Sequence, residues 1–83
     1  MDYDIRQLIN NLNKIHTTEL GEIRIRRNTG LGDFDIIDWC KNKITEEQNK
    51  ITKKVKNWYV ESDLYIITIN ASSFTIITVH KKY

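Results

Sequence analysis

The spacing of hydrophobic residues changes near Lys50, and this change constrains the fold more than any other feature of the sequence. Before it, apolar residues recur three and four positions apart, which is the spacing of one helix face. The clearest run is Ile5, Leu8, Ile9, Leu12 and Ile15. After it, β-branched and aromatic residues alternate with polar ones, as they do in strands, and no proline interrupts them. The sequence therefore predicts an α+β fold, with helices first and an antiparallel sheet after them.

Capping and turn residues set the expected boundaries of these elements. Thr17 and Thr18 are suited to capping a helix, and Gly30 is suited to ending one. The residues from Asn70 to Ser73 form a turn-forming cluster between two strand-like runs. We expect one α+β domain over residues 1–83, with three N-terminal helices followed by a three- to four-stranded antiparallel sheet. The predicted helices are 4–15, 17–28 and 33–45, and the predicted strands are 51–55, 58–61, 64–69 and 74–80.

Composition argues against several classes of protein. Of the 83 residues, 40% are hydrophobic, which is enough for one core in a chain of this size. Cys40 is the only cysteine, and the chain has no zinc-ligand spacing, glycine-rich phosphate loop or nucleophile elbow. We therefore expect no disulfide, metal or cofactor, and we expect Cys40 to pack inertly in the core. The acidic start and the lack of a long apolar run indicate a cytoplasmic protein without membrane contact.

Charge is unevenly distributed along the chain. Residues 1–49 hold seven Lys and Arg against nine Asp and Glu, whereas residues 50–83 hold six Lys against two acidic residues. A basic half suits an anionic partner such as RNA, although lysines also protect exposed sheet edges from aggregation. The candidate phosphate or RNA ligands are Arg24, Arg27, Lys53, Lys54, Lys56, Lys81 and Lys82.

Aromatic residues lie among these lysines, as they do in surfaces that bind single-stranded nucleic acid. Trp58 is expected in the core. Tyr59 and Tyr65 are the candidate partner-binding residues.

A hairpin loop at 70–73 gives a predicted register for the last two strands. Ile69 is expected to pair with Phe74, and Asp63 with His80. In this register both faces of the hairpin are apolar near the middle, so the face without helices needs a cover. Two-sided packing within the chain, a homodimer, a partner protein and a ligand are the alternatives.

Two histidines are the candidate catalytic residues. His80 stands next to two lysines and opposite Asp63 in the predicted register, an arrangement that can serve acid–base cleavage of a phosphodiester. The structural alternative is a cross-strand ion pair at a sheet edge. His16 precedes a helix start, where free N–H groups favour phosphate, and Arg24 follows within that helix. Catalysis by both histidines requires that the fold bring them into one pocket.

Five segments of the chain carry a resemblance. They are KIHTTEL at 14–20, WCK at 39–41, KNWYV at 56–60, ITIN at 67–70 and TIITVHK at 75–81. Together they resemble a family of small bacterial proteins, domain of unknown function 3781, over residues 8 to 82. The resemblance implies a stand-alone bacterial domain and does not imply an activity.

A second likeness concerns an early histidine among helices, followed by a sheet that ends in a Thr-x-His strand. This arrangement is similar to the barnase–colicin–RelE group of ribonucleases and toxins. It implies active-site positions at His16, Arg24, Thr78 and His80. The chain departs from the group in lacking a clear strand-borne glutamate, because Glu61 is expected at a turn.

Two hypotheses of function follow. The first is a small RNA-binding or metal-independent endoribonuclease-like domain of the toxin type, with His80 or His16 as acid or base and with Arg24 and Lys81 as phosphate ligands. The second is a non-enzymatic protein-binding regulator or phage-type inhibitor that acts through its sheet face or basic edge. A structural homodimer is a further alternative.

Overall fold

The computed structural model describes residues 2–30, 35–46, 49–62 and 64–82. Its helices are α1 (Asp2–Asn10), α2 (Glu19–Thr29) and α3 (Ile36–Ile44), with a short 3₁₀ turn at Leu12–Lys14. Its strands are β1 (Lys50–Lys54), β2 (Asn57–Glu61), β3 (Tyr65–Asn70) and β4 (Ile76–Lys81). They form one antiparallel sheet in the order β1-β2-β3-β4. The predicted α+β fold, with three helices followed by the sheet, is confirmed.

Side-chain hydrogen bonds to the backbone mark the end of α1 and the start of α2, and a glycine marks the end of α2. The Asn11 side chain donates to the Gln7 carbonyl at 2.7 Å, and α1 ends here instead of continuing to residue 15 as predicted. Asparagine disfavours the helix interior because its side chain competes for backbone groups. The α2 helix starts where Thr18 Oγ1 accepts from the Gly21 N–H at 3.0 Å. It ends at Gly30, which has the left-handed φ of 72° that the sequence predicted for this stop.

Asp35 caps α3; residue 33, where the sequence predicted that this helix begins, lies outside the described residues. The Asp35 carboxylate accepts from the N–H groups of Ile37 and Asp38 at 3.0 and 3.1 Å. The helix then turns one stripe of side chains inward. These buried residues are Ile36, Cys40 and Ile44.

One face of the sheet and the inner sides of the helices form the hydrophobic core, and we call this side of the sheet the core face. Trp58 is fully buried there, and its ring packs against Phe74 with centroids 5.4 Å apart. Cys40 is also fully buried, so both residues occupy the core positions predicted for them. The core comprises Leu8, Ile15, Ile25, Ile36, Cys40, Ile44, Trp58, Val60, Ile67, Ile69, Ile76 and Val79.

A longer loop and a β-bulge together give β3 and β4 a different register from the predicted one. Ile69 pairs with Ile76, and not with Phe74. An extra residue in β4 then places Ile67 opposite Val79. A bulge rotates the strand beyond it, so Ile76 and Val79 both reach the core face although they are three residues apart.

The loop before β4 is longer than predicted because Asn70 organises it. Asn70 Oδ1 accepts from the N–H groups of Ser72 and Ser73 at 2.9 and 3.0 Å. The Asn70 carbonyl accepts from the Phe74 N–H at 2.9 Å. Phe74 has a left-handed φ of 59°, and this conformation directs the chain into β4.

The second face of the sheet, which we call the open face, is polar. Because Ile76 and Val79 both turn to the core face, β4 leaves mainly hydrophilic side chains on this side. The expectation that both faces are apolar, and that the second requires an apolar cover, is therefore wrong. The open face carries Lys50, Thr52, Lys54, Asn57, Tyr59, Glu61, Ile66, Thr68, Asn70, Thr78 and His80.

The segment before α2, and α2 itself, cover the outer edge of β4. His16 forms an isolated parallel bridge with Thr75. The Thr17 hydroxyl donates to the Ile76 carbonyl at 2.9 Å. Gly21 permits this approach, because a β-carbon there would clash with Thr17 Oγ1. The edge is thus protected from pairing with other strands.

None of the helices in these described ranges is long and apolar enough to cross a membrane.

Candidate nucleic-acid interface

A depression of about 430 Å³ lies on the open face. Alternation along the strands brings its side chains together, because every second residue of a strand points to the same side. The residues that line it are Lys50, Thr52, Lys54, Tyr59, Glu61 and Ile66. Lys50, Thr52 and Glu61 were not among the predicted site residues. The alternation that starts at Lys50 was the sequence signal that could have found them.

Tyr59 is the aromatic residue of this depression. It is half-buried, with Thr52 opposite it on β1 and Thr68 opposite it on β3. The side-chain amide of Asn57, two residues earlier on the same strand, lies 3.5 Å from the Tyr59 hydroxyl. The ring therefore extends along β2 towards the β1–β2 turn.

The charges of the depression are mostly positive. Lys50 and Lys54 are exposed and lie about 13 Å apart along β1, one towards each end of the Tyr59 position. Glu61 stands opposite Lys50, and its Oε2 lies 3.7 Å from the Lys82 Nζ. The acidic group is thus balanced by a lysine on either side, and the surface retains a positive excess.

His80 lies on the open face but not in the predicted pair. It stands opposite Ile66 in the sheet, so the predicted register between His80 and Asp63 is wrong. Asp63 itself lies outside the described residues. The His80 side chain is exposed, and it forms no hydrogen bond with the described part of the chain.

His16 is bound within the junction between α1 and α2. Its Nδ1 lies 2.8 Å from the Lys14 carbonyl oxygen, and its Nε2 lies 3.0 Å from the Thr75 hydroxyl. The ring therefore ties this junction to the residue that precedes β4.

The two histidines do not share a pocket. His16 is beside Thr75, which directly precedes β4, and His80 is five residues further along the chain, within β4. At about 3.3 Å per residue these positions are roughly 15 Å apart, too far for both rings to act on one phosphodiester bond. The condition for catalysis by both histidines is therefore not met, because β4 runs past His16 instead of folding back on it.

Tyr65 and Tyr59 lie on opposite faces of the sheet. Tyr65 packs edge-on against Trp39 of α3, with ring centroids 5.1 Å apart and an interplanar angle of 86°. The two candidate partner-binding tyrosines therefore do not share a surface, and of the two only Tyr59 belongs to the open face.

The predicted basic residues are distributed over several surfaces. Lys54 lies on the open face. The ammonium group of Lys82 lies at the border of this face, where it forms a salt bridge with Glu61. Lys53 stands opposite Trp58, and Lys81 stands opposite Tyr65, so both lysines are on the core-face side of their strands. Both side chains are nevertheless exposed. The three others are Lys56 in the β1–β2 turn and Arg24 and Arg27 on α2.

Within the four described ranges, no group of three or more His, Cys, Asp or Glu side chains is placed to hold a metal ion. What the open face offers a ligand is an aromatic ring, hydroxyl groups and ammonium groups.

The fold and this surface define a small α+β protein with an open-faced, four-stranded meander sheet. Residues 9–80 match the family described as protein of unknown function (DUF3781), and the chain belongs to that family. Neither the curated proteins nor the solved structures include a significant match to it.

Proposed function

We propose that this protein binds single-stranded RNA on the open face of its sheet, with a base stacked on Tyr59. The observation that carries the proposal is the depression in which Tyr59 lies with a lysine towards each end. The phosphates on either side of the stacked base would contact Lys50 and Lys54.

The chemistry of single strands supports this arrangement. Proteins that bind them combine aromatic side chains, on which bases stack, with basic groups that follow the backbone. A row of hydroxyl side chains crosses the sheet beside Tyr59, formed by Thr52, Thr68 and Thr78; Thr68 is buried, so Thr52 and Thr78 are the two that a ligand can reach. Hydroxyl groups donate to and accept from the ribose 2′-OH, which distinguishes RNA from DNA. The row therefore favours RNA over single-stranded DNA.

The same polarity makes the open face less suited to a stable protein interface. The central parts of such interfaces are enriched in aromatic and apolar groups and depleted of charge. In the depression, the ring of Tyr59 and the side chain of Ile66 are surrounded by three charged groups. A lysine-rich surface of this kind fits a phosphate backbone better.

The first test is the anisotropy of a fluorescent oligouridylate titrated with the protein. Replacing Tyr59 with Ala is expected to weaken binding by about 1–3 kcal/mol, which is the usual contribution of one stacked base. Tyr59→Phe keeps the ring and is expected to bind as the wild type does. Equal affinity of the wild type and Tyr59→Ala, or no binding at low salt, would contradict the proposal.

The salt dependence of binding separates stacking from charge. Lys54→Gln removes one phosphate contact, so the slope of log K against log salt is expected to become shallower by about 0.7. Tyr59→Ala is expected to leave this slope unchanged, because it removes no lysine or arginine contact to a phosphate. Arg6→Gln is the charge control, since Arg6 lies on α1, which packs on the other side of the sheet. An oligodeoxyuridylate that binds as well as the RNA would remove the preference for ribose.

Cleavage of the bound strand is a second candidate, favoured by one observation. Glu61 belongs to β2 and not to a turn as expected, and it shares a cross-strand row of the open face with His80. Ile66 lies between them in that row. A carboxylate and an imidazole on either side of an RNA strand are suited to act as base and acid on a ribose 2′-hydroxyl and its phosphate.

This second candidate is tested with labelled RNA in the presence of a chelator. Cutting to a 2′,3′-cyclic phosphate, lost in Glu61→Gln and in His80→Ala without loss of binding, is the expected result. RNA that binds and stays intact would leave the protein as a binding domain only.

A further inference from the structure

We infer that α2 extends the RNA path beyond the sheet, and that Arg24 binds a phosphate at the far end of this path. The inference rests on the proposed function and goes further by giving the site a direction and a length. From the base stacked on Tyr59, the RNA would turn away from the line of Lys50 and Lys54, cross the sheet to β4 and continue onto one flank of α2.

A hydrogen bond identifies the flank of α2 that borders the open face. The Asn28 side-chain amide donates to the Thr78 hydroxyl at 3.3 Å. Thr78 belongs to the hydroxyl row that passes Thr68 and Tyr59. The flank that carries Asn28 is therefore continuous with the surface on which the base is proposed to stack.

Arg24 lies on that flank. It precedes Asn28 by four residues, which places the two side chains about 40° apart around the helix. The buried side of α2 is formed by Gly21, Ile25 and Thr29, so Arg24 projects beside the packed side and not away from the protein. The stripe of Arg24 and Asn28 thus forms the border of the open face next to β4.

Arg24 is also available to a ligand. It is exposed, and it forms no hydrogen bond or ion pair with the described part of the chain. Arg26, by contrast, is bound to Glu22 at 2.8 Å on the opposite flank. Arginine binds phosphate through two parallel N–H bonds, which gives a directed contact.

The distances set the length of the path. Tyr59 lies on β2, two strand spacings or about 10 Å from β4, and α2 adds a further helix radius of about 5 Å. The one phosphate that joins the two nucleotides of diuridylate adjoins the base stacked on Tyr59, so it cannot also reach Arg24. A strand of about four nucleotides, the lower end of the usual range for small single-strand-binding domains, is needed to contact both.

The test is a length series of diuridylate, tetrauridylate and hexauridylate, titrated with the wild-type protein and with Arg24→Gln. We expect Arg24→Gln to bind diuridylate as the wild type does and to bind hexauridylate about tenfold more weakly. Its salt slope on hexauridylate should be shallower by about 0.7, whereas its slope on diuridylate should be unchanged.

Arg27→Gln is the matched control on the same helix. Arg27 is exposed and stands about 100° from Asn28, turned away from the sheet, so this variant should bind hexauridylate as the wild type does. Equal losses in Arg24→Gln and Arg27→Gln, or equal losses on the short and long oligomers, would overturn the inference and leave the open-face proposal standing. Failure of the wild type to bind any oligomer would instead overturn both.

Discussion

His16 is bonded at both ring nitrogens, and these bonds define what it contributes. The Lys14 carbonyl can only accept, so the proton lies on Nδ1. The Thr75 hydroxyl at Nε2 also lies 2.7 Å from the Ser73 hydroxyl, which continues the network into the loop before β4. The histidine that the sequence suggested for catalysis therefore connects the helical part of the chain to the sheet.

Replacing His16 with Ala is expected to lower the free energy of unfolding by about 1 kcal/mol, since a hydrogen bond contributes about that much net. His80→Ala is expected to change it by less than about 0.5 kcal/mol, because the His80 side chain is exposed. Urea denaturation followed by circular dichroism measures both. A larger loss in His80→Ala than in His16→Ala would contradict these roles.

Cys40 is fully buried, and burial raises the pKa of its thiol to about 12. The thiolate is the reactive form, so the native protein is expected to resist thiol reagents at pH 8 and to react only as it unfolds. The rate of labelling in increasing urea should follow the unfolding transition. Fast labelling of the native protein would show that the thiol is accessible.

The same burial makes stability fall at alkaline pH. Between about pH 9 and 12 the unfolded thiol has lost its proton while the folded thiol keeps it, so the folded state binds more protons. The free energy of unfolding should then decrease by about 1.4 kcal/mol per pH unit in this window, and Cys40 should add no pH dependence below it. Comparison with Cys40→Ala isolates this slope from those of lysine and tyrosine residues. Parallel pH profiles of the two proteins would contradict it.

At the scale of elements, the β1–β2 turn shows how cross-strand pairs decide a register. The turn comes one residue earlier than the sequence predicted, so Lys54 pairs with Asn57 and the strand ends before Val55. This register places Ile51 opposite Val60. The predicted strands 51–55 and 58–61 put the turn at residues 56–57. That register would have placed Lys53 opposite Val60, and the pair would bury less apolar surface.

The strained residue of this turn is Val55. It is 91% exposed and has a left-handed φ of 55°, which costs a β-branched residue roughly 1–2 kcal/mol. Val55→Asn is expected to raise the free energy of unfolding by about 1 kcal/mol, because asparagine tolerates this conformation. The urea midpoint should rise without a change in m.

Lys56→Asn is the control in the same turn, since Lys56 has no positive φ. It should leave the urea midpoint unchanged. A gain in Lys56→Asn as large as that in Val55→Asn would indicate a general effect of asparagine in the turn, and not relief of strain.

At the scale of the whole molecule, periodicity was sufficient to predict the order of helices and strands. The helical stripe around Leu8 and the alternation after Lys50 both correspond to observed elements. Fold class depends on many side chains acting together, so it survives errors at single positions.

The candidate site was harder to predict because it depends on register. The longer loop and one bulged residue in β4 together moved His80 by three positions, from Asp63 to Ile66, and the bulge turned the second face from apolar to polar. The hydrogen bonds of Asn70 that lengthen the loop give no periodic signal in the sequence. Tyr59 and Lys54 were identified from their residue types alone. The alternation after Lys50 could have indicated Lys50 and Glu61 as well, but only the observed strand pairing places them opposite each other on the same face as Tyr59.

The most direct measurement of the central claim is the change in backbone amide NMR shifts on addition of hexauridylate. We expect the shifted amides to map to the open face and to the bordering flank of α2, centred on Thr52, Tyr59 and Thr78. The amides around Trp39 and Cys40, behind the core face, should stay in place. Shifts that cluster around α1 and α3 and spare Tyr59, or the absence of any shift at low salt, would contradict it.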